Sequence, residues 1–498
     1  MNHSPLAFPV TVALPPPSSS DKTADADRLA DALRDRGFGN VELPLGVLRR
    51  LSGELRRSGF TADLLIGPTA EGYRVLDIGK KAAFGIALDI GSTNVECVLF
   101  DLVTGEKIGE AGAENPQVRF GYDVLTRVQR SMMGEFGPLT DSLAEGLHGL
   151  IALICEDHGV ASDDVYAVTV AGNTIMSHFF LGLDVNNIPL SPYVPAANKS
   201  FLMTAGETGL PVNRNAVVYV FPNSGSYVGG DIVSGILYSG IYREDEPALF
   251  IDVGTNVEVT LGCRDWIMVG AGAAGPALEG GVATIGKKAE AGTISRVRID
   301  RMSGAVALEV IEGGEPGGIC GSGLIDLVSE LFSSGIIDQS GKFTGDGGRI
   351  IERDGVKSYR LYQSAKGELS LSEHEIKNFL LSKAAMFSFL YVFVKSIGLS
   401  FGDIRKVYVA GALGCGIDPE KAVTIGMLPD IPRERFIPLG NSSIGGAGMV
   451  LLHRELMEEV EEIAAKITYR EMNEDADLMH ALQGAMFIPH TEPEILKG

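Results

Sequence analysis

Residues 89–99 read DIGSTNVECVL, and residues 252–261 read DVGTNVEVTL. With Ser92 set aside, the two align as D-[IV]-G-T-N-V-E-x-x-L. Each follows an apolar strand and leads into another. Each is therefore predicted to be a β-hairpin closed by a tight turn, where glycine adopts backbone angles that other residues resist. The N–H groups and hydroxyls of such a turn can point at anionic oxygens. An Asp at the end of the first strand can hold Mg²⁺ directly or through water, because Mg²⁺ takes oxygen ligands and keeps several waters. One D-x-G-[ST] is a weak signal, whereas its duplication in strand context is a strong one. The expectation is two α/β lobes, each opened by a hairpin, facing each other across a polyphosphate.

Outward from the hairpins, the chain from residue 84 alternates apolar strands, glycine turns and amphipathic helices, the pattern of an α/β fold. Strands are predicted over 85–91, 165–172, 216–221, 248–254 and 406–411, and helices over 141–157, 322–333, 375–397 and 445–467. Residues 407–429, VYVAGALGCGIDPEKAVTIGMLP, run from a strand into a glycine-rich turn (Gly411, Gly414, Gly416) and then a helix. Small residues there permit close approach by a planar ring or a ribose. Residues 1–83 read as a small α+β unit. Its β-prone segment 9–17 stops at a triple proline, its helices are predicted over 25–36 and 45–57, and short strands over 62–66 and 73–77. The run Arg49, Arg50, Arg56, Arg57 is read as a solvated helix face. The predicted division is 1–83, a first lobe 84–247, a second lobe 248–450, and a C-terminal helix and polar tail 451–498.

Composition narrows the function classes. The 498 residues carry 64 Asp and Glu against 42 Lys and Arg, a net charge of −22. Residues 1–83 are nearly neutral, so the excess lies in the rest of the chain. Such a field repels phosphate backbones and anionic lipid, which argues against nucleic acid and membrane surfaces as partners. The five cysteines, Cys97, Cys155, Cys263, Cys320 and Cys415, are far apart with no C-x-x-C, so neither a disulfide scaffold nor a compact cluster site is encoded. The most apolar stretch, 384–394, lies between two lysines and is short of the ~18 residues of a membrane span. The opening MNHSPLAFPVTVALPPP is not a signal peptide. A cytoplasmic protein is expected.

The candidate residues follow. Asp89 and Asp252, at apolar strand ends, are assigned to metal and phosphate. Gly91, Ser92, Thr93 and Asn94, with Gly254, Thr255 and Asn256, are assigned to phosphate oxygens. Asp231, after Gly229 and Gly230, either orients water and takes a proton or caps the following helix. Gly321 and Ser322 precede a helix whose N-terminus meets a ribose or phosphate, or is simply capped. Glu96 and Glu258 are the matched acids of the repeat. His178, on an apolar segment, is read as packed.

These elements in this order resemble the superfamily of acetate and sugar kinases, heat-shock chaperone ATPases and actin. The resemblance implies a two-lobed actin-like ATPase with duplicated ribonuclease-H-like lobes, binding ATP and Mg²⁺. It makes Gly411, Ala412 and Gly414 the adenosine segment, and residues 170–182 and 440–448 the connecting segments at the hinge. AGNTIMSHFFLG, SPYVP, VGGD, AAGPALEGG and GICGSGLID narrow it further, to the reductive activators of corrinoid proteins. Residues 1–83 are similar to that family's small middle domain. The resemblance implies ATP-driven reduction of cobalt(II) to cobalt(I) on a corrinoid protein or corrinoid-dependent methyltransferase, and it leaves room for a homodimer. Well-known members carry an N-terminal [2Fe–2S] domain whose ligands this sequence lacks. No iron–sulfur cluster is therefore expected, and a separate ferredoxin-like donor is. Asn94, where Thr is usual, and Val257, where Gly is usual, bear on hydrolysis. Two other functions stand beside this one, a small-molecule kinase and a non-catalytic, nucleotide-dependent partner binder.

Overall fold

The computed structural model describes residues 3–254, 257–272, 281–345, 348–365, 367–411, 416–472 and 476–497. The chain forms two compact units, one made of Met1–Tyr238 and Ser442–Lys466, the other of Ser239–Asn441 and Ile467–Gly498.

In the first unit, the N-terminal residues build a four-stranded sheet. Its strands are β1 (Phe8–Ala13), β2 (Val41–Glu42), β3 (Thr61–Thr69) and β4 (Gly72–Ile78), in the order β1-β3-β4-β2. β1 ends before the prolines, which cannot continue a ladder. The helices Asp25–Asp35 and Leu45–Arg57 bury Leu29, Leu33, Val47, Leu51 and Leu55 against this sheet. The arginine run is the solvated face that its sequence suggests, all four residues being exposed, with Arg50 paired to Asp77, Arg56 to Asp25 and Arg57 to Glu54. Asp77 also accepts from Tyr166 Oη at 2.6 Å, tying the small sheet to the larger one beside it.

The larger sheet of this unit contains β5 (Phe84–Ile90), β6 (Asn94–Asp101), β7 (Lys107–Glu114), β8 (Val165–Gly172), β9 (Phe201–Thr204) and β10 (Val217–Val220). Its order is β7-β6-β5-β8-β10-β9. β5 to β7 form an antiparallel meander, and β8 and β10 run parallel to β5. β8 is buried along its whole length, as expected of a parallel strand covered on both faces. The helix Phe136–Asp157 covers one face with Leu139, Leu143, Leu147 and Ile151.

The second unit repeats the plan. Its strands are β11 (Ala248–Val253), β12 (Val257–Gly262), β13 (Ile267–Gly272), β14 (Thr293–Ile299), β15 (Val306–Val310), β16 (Gly318–Ile319), β17 (Ile350–Arg353), β18 (Val356–Ser364), β19 (Gly367–Ser372), β20 (Val407–Gly411), β21 (Phe436–Gly440) and β22 (Ile467–Tyr469). The main sheet has the order β21-β20-β11-β12-β13-β22. β13-β12-β11-β20-β21 thus reproduces β7-β6-β5-β8-β10, again a meander followed by parallel strands. β14 to β16 and β17 to β19 form two small added sheets.

Two expectations need correction. The helix expected over 445–467 is two helices, Ser442–Leu452 and Leu456–Lys466. The break is made by the N-terminal segment: Ser4 N donates to Leu452 O, and Arg454 N to Ser4 O. The polar tail is also structured. β22 pairs with β13, and the helix Ala476–Ala485 packs on the helix Glu373–Lys395. That last helix is long and apolar enough to cross a membrane, but its Phe379, Phe387 and Phe393 belong to the core of the second unit. Within it Lys383, fully buried, donates to Phe487 O and Pro489 O, each at 2.8 Å.

Candidate functional site

Both hairpins form as the repeat predicts, and in one register. In the first, Asp89 faces Glu96 and Ile90 faces Val95, leaving residues 91–94 as the turn. In the second, Asp252 faces Glu258 and Val253 faces Val257, the same Asp–Glu register. The extra Ser92 is therefore absorbed in the turn. Each Asp stands half-buried at a strand end, directly opposite a Glu. Like charges placed opposite each other destabilise a sheet, so both pairs are suited to a cation. Val257 is fully buried and serves the core, while Asn94 is exposed at the start of β6.

The strand beside each hairpin is duplicated as well. β8 pairs Ala171 with Asp89 and Gly172 with Ile90. β20 pairs Ala410 with Asp252 and Gly411 with Val253. Gly411 has φ +75°, and a Cβ there would lie 2.4 Å from Val253 O and 2.5 Å from Asp252 Oδ1. Only glycine lets this strand end lie against the carboxylate.

In the first unit, Asp89 Oδ1 accepts from Ser443 Oγ at 2.8 Å. Ser443 is buried at the start of the helix Ser442–Leu452. Sequence reasoning placed 440–448 in a connecting segment without singling Ser443 out. The hydroxyl pair ahead of a glycine-rich helix was the available signal. The carbonyls of the turn are held from within the protein. Asn115 Nδ2 donates to Gly91 O at 2.8 Å, Asn115 N donates to Thr93 O at 2.7 Å, and Arg127 Nη2 donates to Ser92 O.

Asp231 lies in the first turn of the helix Gly230–Ser239, its Oδ1 accepting from Ile232 N at 2.8 Å. It is not the cap: Gly230 N donates to Asn223 Oδ1 at 3.2 Å. His178 is packed, with Nδ1 donating to Thr174 O at 2.7 Å and Nε2 accepting from Ala197 N at 3.3 Å. Burial lowers its pKa, so the ring is neutral.

In the second unit, the helix Gly321–Ser333 opens beside the glycine-rich turn. A Cβ on Gly416 would lie 3.1 Å from Ser322 Oγ. That hydroxyl donates inward to Ser295 O at 3.3 Å, which leaves the helix amides, rather than the Ser322 side chain, for a ligand. One and two turns on, the helix carries Asp326 and Glu330, both buried and neither singled out by sequence reasoning. Glu330 accepts from Ile299 N at 3.0 Å and from Lys421 Nζ. Burial raises the Asp326 carboxyl to about 6, against the pull of Arg296. Thr255, Asn256, Ala412 and Gly414 lie outside the described residues, as does Cys415.

Three family descriptions tile the chain. Residues 1–83 match the RACo linker region, residues 84–244 the RACo middle region, and residues 246–497 the C-terminal domain of RACo, the ASKHA domain. This chain belongs to the RACo family. Residues 1–83, compared above with the family's middle domain, thus match its linker, and the middle region is the unit carrying Asp89. A solved structure, "Reductive activator for corrinoid, iron–sulfur protein", is 37% identical with a TM-score of 0.91. That match covers 99% of this chain and 80% of the other. The corrinoid activation enzyme RamQ of Eubacterium limosum is 29% identical, covering 77% of this chain and 68% of its own. The [Co(II) methylated amine-specific corrinoid protein] reductase of Methanosarcina barkeri is 24% identical, covering 77% of this chain and 73% of its own. The actin-like ATPase class that the resemblance implies is the class of the matched ASKHA domain, and that fold implies nucleotide binding.

Proposed function

We propose that this protein uses ATP in the cytoplasm to drive one-electron reduction of a cobalt(II) corrinoid to cobalt(I) on a partner protein of methyl transfer. The observation that carries the reading is the duplicated hairpin with Asp89 and Asp252 in equal register, in a chain of the RACo family. Relatives named for corrinoid activation and for Co(II) corrinoid protein reduction support the substrate class.

In this reading Asp89 and Asp252 hold Mg²⁺, directly or through water. A cross-strand pair of acids at each strand end fits a hydrated cation that takes oxygen ligands and keeps most of its water, and bound Mg²⁺ neutralises phosphate charge. Ser443 orients Asp89 by its hydrogen bond. Residues 91–94 in the first unit and 254–256 in the second bind phosphate oxygens. Gly411, Ala412 and Gly414, with the amides at Gly321 and Ser322, receive the adenosine, and Asp231 orients water. Each ~59 mV of unfavourable potential in a one-electron couple costs tenfold in equilibrium constant. ATP-linked binding of the corrinoid protein offsets that cost.

The electron is proposed to come from a separate ferredoxin-like protein. Cluster ligation needs thiolates. Cys97 is buried on β6, Cys155 on the helix Phe136–Asp157, Cys263 just after β12 and Cys320 just before the helix Gly321–Ser333. Burial pushes the Cys97 thiol up to about 12 and Cys155 up as well, which keeps both protonated.

The test is ADP release from Mg·ATP by the protein alone, with a cobalt(II) corrinoid protein, and with a panel of sugars and carboxylic acids. Slow basal release, accelerated by the corrinoid protein and by no small molecule, is expected. A phosphorylated sugar or acid among the products would make the protein a kinase and end this reading.

A further inference from the structure

Arg127, on the helix Val124–Arg130, is completely buried. Its partners are all uncharged. Nε donates to Gly121 O at 2.9 Å, Nη1 to Gln117 Oε1 at 3.4 Å and Met176 Sδ at 3.5 Å, and Nη2 to Ser92 O and to Tyr122 O at 3.3 Å. The charged group acting on it is Asp123, whose carboxylate accepts from Thr126 N and Oγ1 and forms no ion pair with it. Burial pulls the guanidinium down to about 10, so it stays charged at neutral pH. A buried charge without an ion pair is costly, and structures seldom keep one without a use for it.

The use lies in front of it. Arg127 touches the middle carbonyl of the turn 91–94, and Asn115 takes the carbonyls on either side. Three successive carbonyls, Gly91, Ser92 and Thr93, thus face these two residues. In a planar trans peptide the N–H points opposite to the C=O. The amides of Ser92, Thr93 and Asn94 are therefore directed away from Arg127, with its positive charge directly behind them.

We propose that Arg127 is a positioning residue for polyphosphate: it fixes the turn through the Ser92 carbonyl and supplies, from behind, the positive charge that pairs with phosphates in front. The proposal rests on the reading of 91–94 as a phosphate segment. A phosphate-binding lysine projects into its site; this cation acts through the turn and never touches the ligand.

The experiment is calorimetric binding of adenosine, AMP, ADP and ATP with Mg²⁺ to the full chain, wild type and Arg127→Gln. Adenosine affinity should be unchanged, AMP affinity nearly so, and ADP and ATP affinity progressively weaker, reaching about tenfold for ATP. Arg127→Lys, which keeps the charge but loses the fork, should hold the ATP-to-AMP affinity ratio within about threefold of wild type. It carries the test if the Gln variant does not fold. An equal loss across all four ligands, or an ATP-to-AMP ratio that collapses in the Lys variant, would reduce Arg127 to a structural role. Failure of wild type to bind any of the four would overturn the nucleotide reading itself, and this proposal with it.

Discussion

Asp89 and Asp252 each stand opposite a glutamate, and the two cross-strand pairs of acids recur at one register. Amide replacement keeps the shape and removes one negative charge from a repulsive pair, so Asp89→Asn and Asp252→Asn should fold with unchanged or slightly raised Tm. Mg·ATP turnover by either variant should fall by at least ~100-fold, the scale of losing a preorganised electrostatic contact. Wild-type turnover in both would undo the phosphate assignment. Gly411 makes a similar test by sterics. Gly411→Ala places a methyl against Val253 O and Asp252 Oδ1 in a positive-φ conformation, so nucleotide affinity should drop, as read by calorimetry. Lys383 predicts a pH dependence. Burial pulls its ammonium down to about 7, whereas the unfolded chain holds it near the ordinary lysine value of 10.5. Between these values the unfolded state binds more protons, so this group makes stability rise as pH goes from about 7 towards 10.5. Burial lowers His490, packed on Phe387 near Lys383, so it adds a loss of stability as pH falls through its unfolded value. Denaturant titrations from pH 6 to 10 should show the first slope in wild type and its absence in Lys383→Met.

Hairpins, helices and the tail differ in how much of them the sequence carries. The two hairpins were legible because a local repeat sets both the turn and the acid position, and the structure keeps both in register. The helix Leu45–Arg57 was legible for a similar reason, its apolar residues recurring at helical spacing. The break at 453–455 was not, because His-Arg-Glu suits a helix and the interruption comes from Ser4, far away in sequence. Arg127 was not legible either: in DVLTRVQR it reads as one more solvated charge, and only the tertiary fold buries it. The tail from 468 reads only as polar, with no role assigned. It instead covers the helix Glu373–Lys395, with Ala485 and Ile488 in the core and the Phe487 and Pro489 carbonyls on Lys383. Ending the chain at residue 472 should therefore uncover apolar surface at ~25 cal/mol per Å² and leave a buried ammonium without acceptors. A lower Tm and dye binding to exposed apolar surface are the expected readouts. Unchanged melting would mean that the tail is dispensable.

Across the whole molecule, the repeat extends beyond the hairpins to strand order, since β5 with its neighbours and β11 with its neighbours share one arrangement. In each unit, the strand parallel to the hairpin ends in Ala-Gly beside the Asp. Mg·ATP should consequently slow amide exchange at 91–94 in the first unit and at 254–256 and 411–414 in the second, since each segment is assigned to nucleotide. A segment left unprotected would lose its assignment. The most direct test of the function is anaerobic absorption spectroscopy of a cobalt(II) corrinoid protein mixed with this protein and a reduced ferredoxin-like donor, with and without Mg·ATP. Cobalt(I) should accumulate only when protein, donor and ATP are all present, and not with Asp89→Asn. Cobalt(I) forming equally fast without ATP, or failing to form with every component present, would contradict the assignment.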